Sequence, residues 1–206
     1  MILAALTFAA LAAPPPPPPI KWERLSNLNP FGLTWFSVTG SHTENDLTLL
    51  FSYTCVALPQ PGESILALVS EKGTPYTTFA NRANAADGTT DLNVFVTKGD
   101  VATRIASWDV WADAEGMLGI RKHDASISVA GEAGGVQYLT TEELTAITTA
   151  DVFHVFVRSS DNTGEANTDH YRISLAGFKS SVAATYVECA KAAKAASNPK
   201  TTTKPI

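Results

Sequence analysis

The two cysteines, Cys55 and Cys189, are the side chains whose chemistry is most defined. A pair of thiols can form a disulfide, contribute to a zinc site or stay buried and free. A zinc site needs about four clustered ligands, and neither cysteine has a second Cys or a His at short spacing. In an oxidising compartment a disulfide is favoured over two free thiols. We therefore predict a Cys55–Cys189 disulfide, with free thiols as the alternative.

Four histidines, scattered along the chain, are the next group that could bind a metal: His42, His123, His154 and His170. None of them stands in an H-x-x-x-H or H-E-x-x-H spacing. His154 and His170 flank one predicted hairpin, so the two can approach each other across it. They then form either a pH-sensitive or weakly metal-binding pair, or two ordinary strand histidines on the less apolar face. The sequence favours the ordinary pair, and we predict no metal site and no cofactor.

A concentration of aromatic and acidic residues lies further along the chain, and its members are Trp108, Trp111, Asp113 and Glu115. Aromatic rings beside carboxylates can form a platform for carbohydrate or a hydrolase site. Two tryptophans so close in sequence, with Val110 between them, also fit a core or a sheet edge, which is the commoner arrangement. We keep these four residues as a candidate binding surface.

Two other patterns carry no predicted chemistry. The loop 159–169 is rich in oxygen ligands around Gly164 but does not match the register of a calcium loop, which indicates a polar hairpin loop. No G-x-S-x-G or comparable nucleophile setting occurs, and we predict no catalytic residues.

Composition restricts the classes of protein that fit. The 206 residues carry a net charge of −5 with 45% hydrophobic and 17% charged residues, as in a globular domain. An acidic protein lacks the clustered cations that grip phosphate backbones, so nucleic acid is not an expected partner.

The ends of the chain differ from its middle. Residues 1–13 are an apolar run that ends in small residues, which predicts a signal peptide and a periplasmic or secreted protein with no membrane span after cleavage. Residues 14–20 are a polyproline linker, and residues 191–206 are predicted to be a polar flexible tail. Between them, residues 21–190 are predicted to form one β-rich domain.

Short segments rich in β-branched and aromatic residues, separated by Gly, Pro, Asn and Asp, predict an antiparallel β-sandwich-like fold. Predicted strands are 34–39, 47–55, 65–70, 92–97, 101–108, 117–120, 126–130, 152–158 and 170–175. In 152–158, Phe153, Val155 and Val157 form the core face. A short helix is predicted near 140–148, and a C-terminal helix is predicted to pack a Phe178/Val182/Tyr186/Cys189 stripe on the sheet.

The order of these features resembles a known pair of families. A Lys21-Trp22-Glu23 opening with Asn29-Pro30-Phe31 leads to a strand that ends in Cys55. A short helix, the strand Val-Phe-His-Val-Phe-Val-Arg, the segment from Arg172 to Phe178 and an alanine-rich helix closed by Cys189 follow. This order resembles the bacterial periplasmic proteins of the invasion-associated locus B type and the related type VI secretion accessory proteins VasI and TagO.

The resemblance is concentrated in residues 139–190 and implies a secreted accessory domain without enzymatic activity. It supplies no active-site residues. We expect a protein or a cell-envelope component as partner. The alternatives are an envelope carbohydrate-binding protein or hydrolase that uses the region from Trp108 to Glu115, and a structural subunit that assembles through exposed sheet edges.

Overall fold

A computed structural model describes residues 15–28, 33–44, 47–71, 90–105, 108–112, 117–124, 138–160 and 166–197. Within these ranges the chain forms ten strands and two helices. The strands are β1 (Glu23–Leu28), β2 (Thr34–Glu44), β3 (Leu47–Val56), β4 (Gly62–Glu71), β5 (Thr90–Lys98), β6 (Val101–Ile105), β7 (Asp109–Ala112), β8 (Met117–His123), β9 (Val152–Ser160) and β10 (Ala166–Ser174). The helices are α1 (Thr141–Thr149) and α2 (Phe178–Ser197).

The strands form two antiparallel sheets, which confirms the predicted fold class. The larger sheet has the order β1-β2-β3-β4-β8-β7, and the smaller has the order β10-β9-β5-β6. Four consecutive strands thus pair in sequence order in the larger sheet, as short connections favour. The return of β8 to β4 brings together residues that are far apart in sequence.

The core lies between the sheets, where alternate side chains of each strand meet. Phe51 of β3 and Phe153 of β9 pack with ring centroids 4.6 Å apart. Both rings are buried, as is Val155 two residues along β9. The predicted core face of this strand is therefore confirmed for Phe153 and Val155; the side chain of Val157 lies outside the described residues.

Two strands were not predicted, and one prediction cannot be placed. β1 has the sequence ERLSNL, and its polar residues do not predict a strand. Such a sequence can form one here because β1 lies at the edge of the sheet and pairs with β2. The predicted strand 101–108 ends in the structure at Ile105, and the unpredicted β7 begins at Asp109. The predicted strand 126–130 lies outside the described residues.

Helix α1 begins with a capping box, as its sequence requires. The Thr140 hydroxyl accepts a hydrogen bond from the Glu143 amide at 3.2 Å, and the Glu143 carboxylate accepts one from the Thr140 amide at 3.0 Å. These bonds satisfy amides that have no partner within the first turn. The predicted helix near 140–148 is confirmed.

Helix α2 packs on β2 and β3, as predicted, with one change in its buried stripe. Phe178, Val182 and Cys189 are buried, but Thr185 takes the fourth place and Tyr186 is 40% exposed. The prediction for Tyr186 was wrong because one residue along a helix rotates the side chain by about 100°. The helix continues to Ser197, past the point at which the tail was predicted to begin.

Several contacts join α2 and its preceding turn to β3, to β1 and to the residue before β1. The predicted disulfide joins Cys55 of β3 to Cys189 with Cα atoms 6.1 Å apart. Arg24 of β1 pairs with Glu188 at 2.7 Å, and the Trp22 indole donates to the carbonyl of Ala176 at 2.7 Å. The helix is therefore fastened at both its start and its middle.

Candidate functional site

A groove opens between the two helices, above the start of β4. One cavity of about 730 Å³ is lined by residues that include Glu63, Asp124, Tyr138 and Glu142. A second of about 320 Å³ continues along α2 to Lys179. Because the two cavities share Glu63, Thr141, Leu144 and Tyr186, we treat them as one feature, the interhelical groove.

Two carboxylates lie at the base of the interhelical groove. The Tyr53 hydroxyl donates to Glu63 Oε1 at 2.6 Å. The Glu63 amide donates to Asp124 Oδ2 at 2.7 Å, and the Asp124 amide donates to the Glu63 carbonyl at 2.9 Å. These bonds fix the position of both side chains before any ligand arrives.

The surroundings make Glu63 harder to ionise. Burial raises the pKa of its carboxyl and the charge of nearby Asp124 raises it further, while the hydrogen bond from Tyr53 lowers it by a smaller amount than burial raises it. Tyr53 is affected in return. Burial raises the pKa of its hydroxyl, and its hydrogen bond to Glu63 raises it further. The Glu63 carboxyl therefore gives up its proton less readily than an exposed glutamate does.

The wall formed by α1 is held by a buried ion pair. Lys122 of β8, with a side chain only 3% exposed, pairs with Glu143, the residue that also caps α1. One carboxylate therefore satisfies a buried ammonium group and the first turn of the helix together. This double role sets the position of α1 relative to the sheet.

The rim of the interhelical groove is aromatic. Tyr138 is 48% exposed and Tyr186 is 40% exposed, and both side chains line the groove. Exposed tyrosines offer apolar area together with a hydroxyl that can donate or accept a hydrogen bond. With Glu63, Asp124 and Glu142 among its lining residues, the groove suits a ligand that carries hydrogen-bond donors.

The residues of this site are far apart in the amino-acid sequence. Glu63 and Asp124 are separated along the chain, and they meet because β4 and β8 pair antiparallel with Ser64 opposite His123. Nothing in the spacing of the residues reveals that pairing. Tyr186 gave no signal either, because its helical spacing placed it in the predicted buried stripe, whereas it is 40% exposed.

The predicted Trp108 surface is only partly described. Trp108 is half-buried against the core, its indole donates to the Ile105 carbonyl at 2.9 Å, and its ring lies edge-on to Phe153. The backbone of Trp111 pairs with Gly119. Asp113 and Glu115 lie outside the described residues, so the four-residue surface stays a prediction.

The two histidines of the β9–β10 hairpin do meet. His154 Nδ1 and His170 Nε2 are 3.0 Å apart, and the Thr97 hydroxyl lies 3.0 Å from His154 Nε2. The ring of His170 stacks on Phe156 with centroids 3.9 Å apart. Burial lowers the pKa of both imidazoles, with Arg172 adding to the effect, and lowers that of His170 to about 4.

Comparisons with known proteins did not identify a relative of this chain. No protein-family model matches the chain, and no curated protein or solved structure matches it either. The resemblance to the invasion-associated locus B and VasI or TagO proteins therefore stays an expectation from sequence. Of the helices in the described part of the chain, none is both long and apolar enough to cross a membrane.

Proposed function

We propose that this chain is an exported accessory protein of the bacterial envelope that binds a protein or another envelope component in the interhelical groove, without catalysing a reaction. The observation that carries the proposal is the groove itself, which has an aromatic rim and a fixed acidic base. The apolar N-terminal run and the resemblance in residues 139–190 support the compartment and the accessory role.

One wall of the interhelical groove carries a bond that oxidising compartments favour. This wall is α2, and α2 is joined to β3 through Cys55 and Cys189. Disulfides persist outside the reducing cytosol, where glutathione and thioredoxin systems keep thiols reduced. A binding site built on such a bond fits a periplasmic or secreted protein.

Site-specific photo-crosslinking tests the binding role. A photoreactive phenylalanine analogue replaces Tyr186, which lines the groove, or Val187, which is its exposed neighbour at 51% exposure and is not among the residues lining the groove. In the periplasm of a producing bacterium, position 186 should give a discrete crosslinked product that position 187 does not give. Equal products from both positions, or none from position 186, would contradict the proposal.

A second candidate function is favoured by the Glu63–Asp124 pair. A carboxyl with a raised pKa beside a carboxylate in a cleft is the arrangement of acid–base hydrolases. In that case Glu63 donates a proton to the leaving group and Asp124 activates water or stabilises positive charge. The hydrogen bonds from the Tyr53 hydroxyl to the Glu63 carboxyl and from the Glu63 amide to the Asp124 carboxylate explain the pair as structure, which is why we place binding first.

The two candidates separate in an activity measurement. Purified protein is incubated with envelope polysaccharides and the release of reducing ends is followed. The binding role predicts no release above that of a Glu63→Gln variant, which keeps an acceptor for Tyr53 but cannot donate the proton. Release by the wild type that is lost in Glu63→Gln, with folding intact, would establish the hydrolase instead.

A further inference from the structure

The outer face of the smaller sheet carries a paired histidine site that is separate from the interhelical groove. His154 projects from β9 and His170 from the edge strand β10, and the strand register places them diagonally, since His154 faces Arg172 and His170 faces Phe156. His154 is half-buried and His170 is exposed. Two imidazole nitrogens thus meet at the surface, where an ion in solution can reach them.

The separation of the two nitrogens matches a particular metal geometry. Imidazole nitrogens bind divalent transition metals at about 2.0–2.1 Å. Two such ligands at neighbouring corners of a square are then about 2.9 Å apart, and at corners of a tetrahedron about 3.4 Å apart. The observed separation of 3.0 Å between His154 Nδ1 and His170 Nε2 is close to the square arrangement, which Cu²⁺ and Ni²⁺ prefer.

We propose that His154 and His170 together bind a divalent transition-metal ion, Cu²⁺ most tightly, on the outer face of the smaller sheet. The ion takes the place of the proton that the two rings share in their hydrogen bond. Small rotations of the rings, of which His170 is the more exposed, turn both lone pairs toward it. His170 is exposed, so water can complete the coordination. His170 and Arg172 also line a cleft of about 150 Å³ together with His42 of β2.

The proton balance of this step is simple. Two neutral imidazoles carry one proton each, and the hydrogen bond requires one of the facing nitrogens to hold a proton. When the metal binds, that proton moves to the other nitrogen of the same ring. On His154 this nitrogen is Nε2, which then donates to the Thr97 hydroxyl at 3.0 Å. No proton needs to be lost, and Thr97 becomes a positioning residue of the kind that orients histidine ligands.

Two features set the limits of the site. Within the described part of the chain, no group of three or more His, Cys, Asp or Glu side chains is arranged around one point, so the protein supplies two ligands and solvent the rest. The positive charge of Arg172 lies near both rings and opposes a cation. Its guanidinium is engaged with the Pro15 carbonyl at 3.0 Å. Removing this charge should therefore strengthen metal binding.

Calorimetric titration of the purified full chain with Cu²⁺, in the presence of glycine as a weak competitor, tests the site. The wild type should bind one more Cu²⁺ than His154→Ala and His170→Ala, and His123→Ala, which lies on β8 of the larger sheet, should behave as the wild type. Thr97→Val should weaken that site by about tenfold, and Arg172→Gln should tighten it. Circular dichroism checks that each variant is folded. If His154→Ala does not fold, the comparison uses His170→Ala, because His170 is exposed.

Electron paramagnetic resonance of the Cu²⁺ protein gives an independent readout. The spectrum should show coupling to two nitrogens that disappears in either histidine variant. Equal Cu²⁺ stoichiometry in the wild type and both histidine variants would overturn the proposal. Zn²⁺ binding as tight as that of Cu²⁺ would overturn the square geometry on which it depends.

Discussion

Gly40 of β2 shows at the scale of a single residue how the start of the chain is packed. A Cβ atom on Gly40 would lie 2.6 Å from Ile20 Cδ1 and 2.8 Å from two atoms of the Trp22 ring. The same ring lies 4.7 Å from that of Phe178, between centroids, and hydrogen-bonds Ala176. Gly40 is thus required for space, because the ring of Trp22 occupies the place of its side chain.

We expect Gly40→Ala to destabilise the fold by about 1–3 kcal/mol, since Trp22 must shift and weaken its contacts with the start of α2. Urea unfolding followed by tryptophan fluorescence measures the loss. Ser41→Ala, an exposed neighbour, is the matched control and should unfold as the wild type does. Equal stability of Gly40→Ala and Ser41→Ala would show that Trp22 is not packed as described.

Glu63 provides a prediction about pH. Its pKa in the folded protein lies above the ordinary value of 4.5, so the folded state holds this proton more tightly than the unfolded chain. The resulting stabilisation is complete below the unfolded-state pKa and is lost as pH rises through the folded-state pKa. Glu63→Gln has no such loss and should gain stability relative to the wild type as pH rises above 4.5.

The measurement for Glu63 is urea unfolding of both proteins at several pH values. The difference in the free energy of unfolding should increase with pH in favour of the variant. If the difference in the free energy of unfolding stays constant with pH, or if the variant becomes the less stable protein at high pH, then burial does not dominate the environment of Glu63.

Some contacts between single residues could be predicted from the sequence, and others could not. The two cysteines could be paired from compartment and number alone, since no competing ligand stands near them in sequence. Glu63 and Asp124 could not be paired, because their contact depends on strand order. The His154–His170 contact could be anticipated because both flank one hairpin, whereas its 3.0 Å distance depends on the register of that hairpin.

At the scale of elements, α1 is held by the ion pair between Lys122 and Glu143. Glu143→Ala leaves a buried ammonium group without a partner, which we expect to destabilise the fold by about 3–5 kcal/mol. Thr140→Ala removes only the other half of the capping box and should lose about 1 kcal/mol. Thermal and urea unfolding of the two variants compare these effects.

A double variant separates charge burial from packing in this pair. Lys122→Met with Glu143→Leu removes both charges at similar volume and should recover much of the stability lost in Glu143→Ala. If the double variant is as unstable as Glu143→Ala, then the role of Glu143 lies in capping α1 and not in neutralising Lys122.

Helix α2 depends on its disulfide. The bond between Cys55 and Cys189 closes a loop of 134 residues, for which chain entropy alone gives about 5 kcal/mol of stabilisation. Replacing both cysteines by alanine should therefore remove several kcal/mol from the free energy of unfolding. Equal unfolding midpoints for the wild type, its reduced form and the double variant would show that α2 is held by its other contacts.

The sequence predicted helices more fully than edge strands for a physical reason. α1 has both partners of its capping box three residues apart, and α2 has a buried stripe at helical spacing, so both signals are local. β1 and β7 lie at the two edges of the larger sheet. Each is stabilised by hydrogen bonds to one neighbouring strand, β2 or β8. Such a strand can form without the alternation of apolar residues that predicts a strand from sequence.

At the scale of the whole molecule, the buried residues of the two sheets and α2 form one core, and the interhelical groove is lined by residues of α1, α2, β4 and the end of β8. The fold class followed from the alternation of apolar residues and the turn residues between strands. The order β1-β2-β3-β4-β8-β7 did not follow, because β8 reaches β4 across a long stretch of chain. The groove therefore had to be found in the structure.

The proposed function requires an exported protein in which a disulfide joins one wall of the interhelical groove to the sheet. The most direct test is peptide mapping by mass spectrometry, without reduction, of the protein recovered from the periplasm of a producing bacterium. We predict an N-terminus that begins after the apolar run near Ala13 and a linked pair of peptides that contain Cys55 and Cys189. Retention of Met1 together with two free thiols would contradict the account.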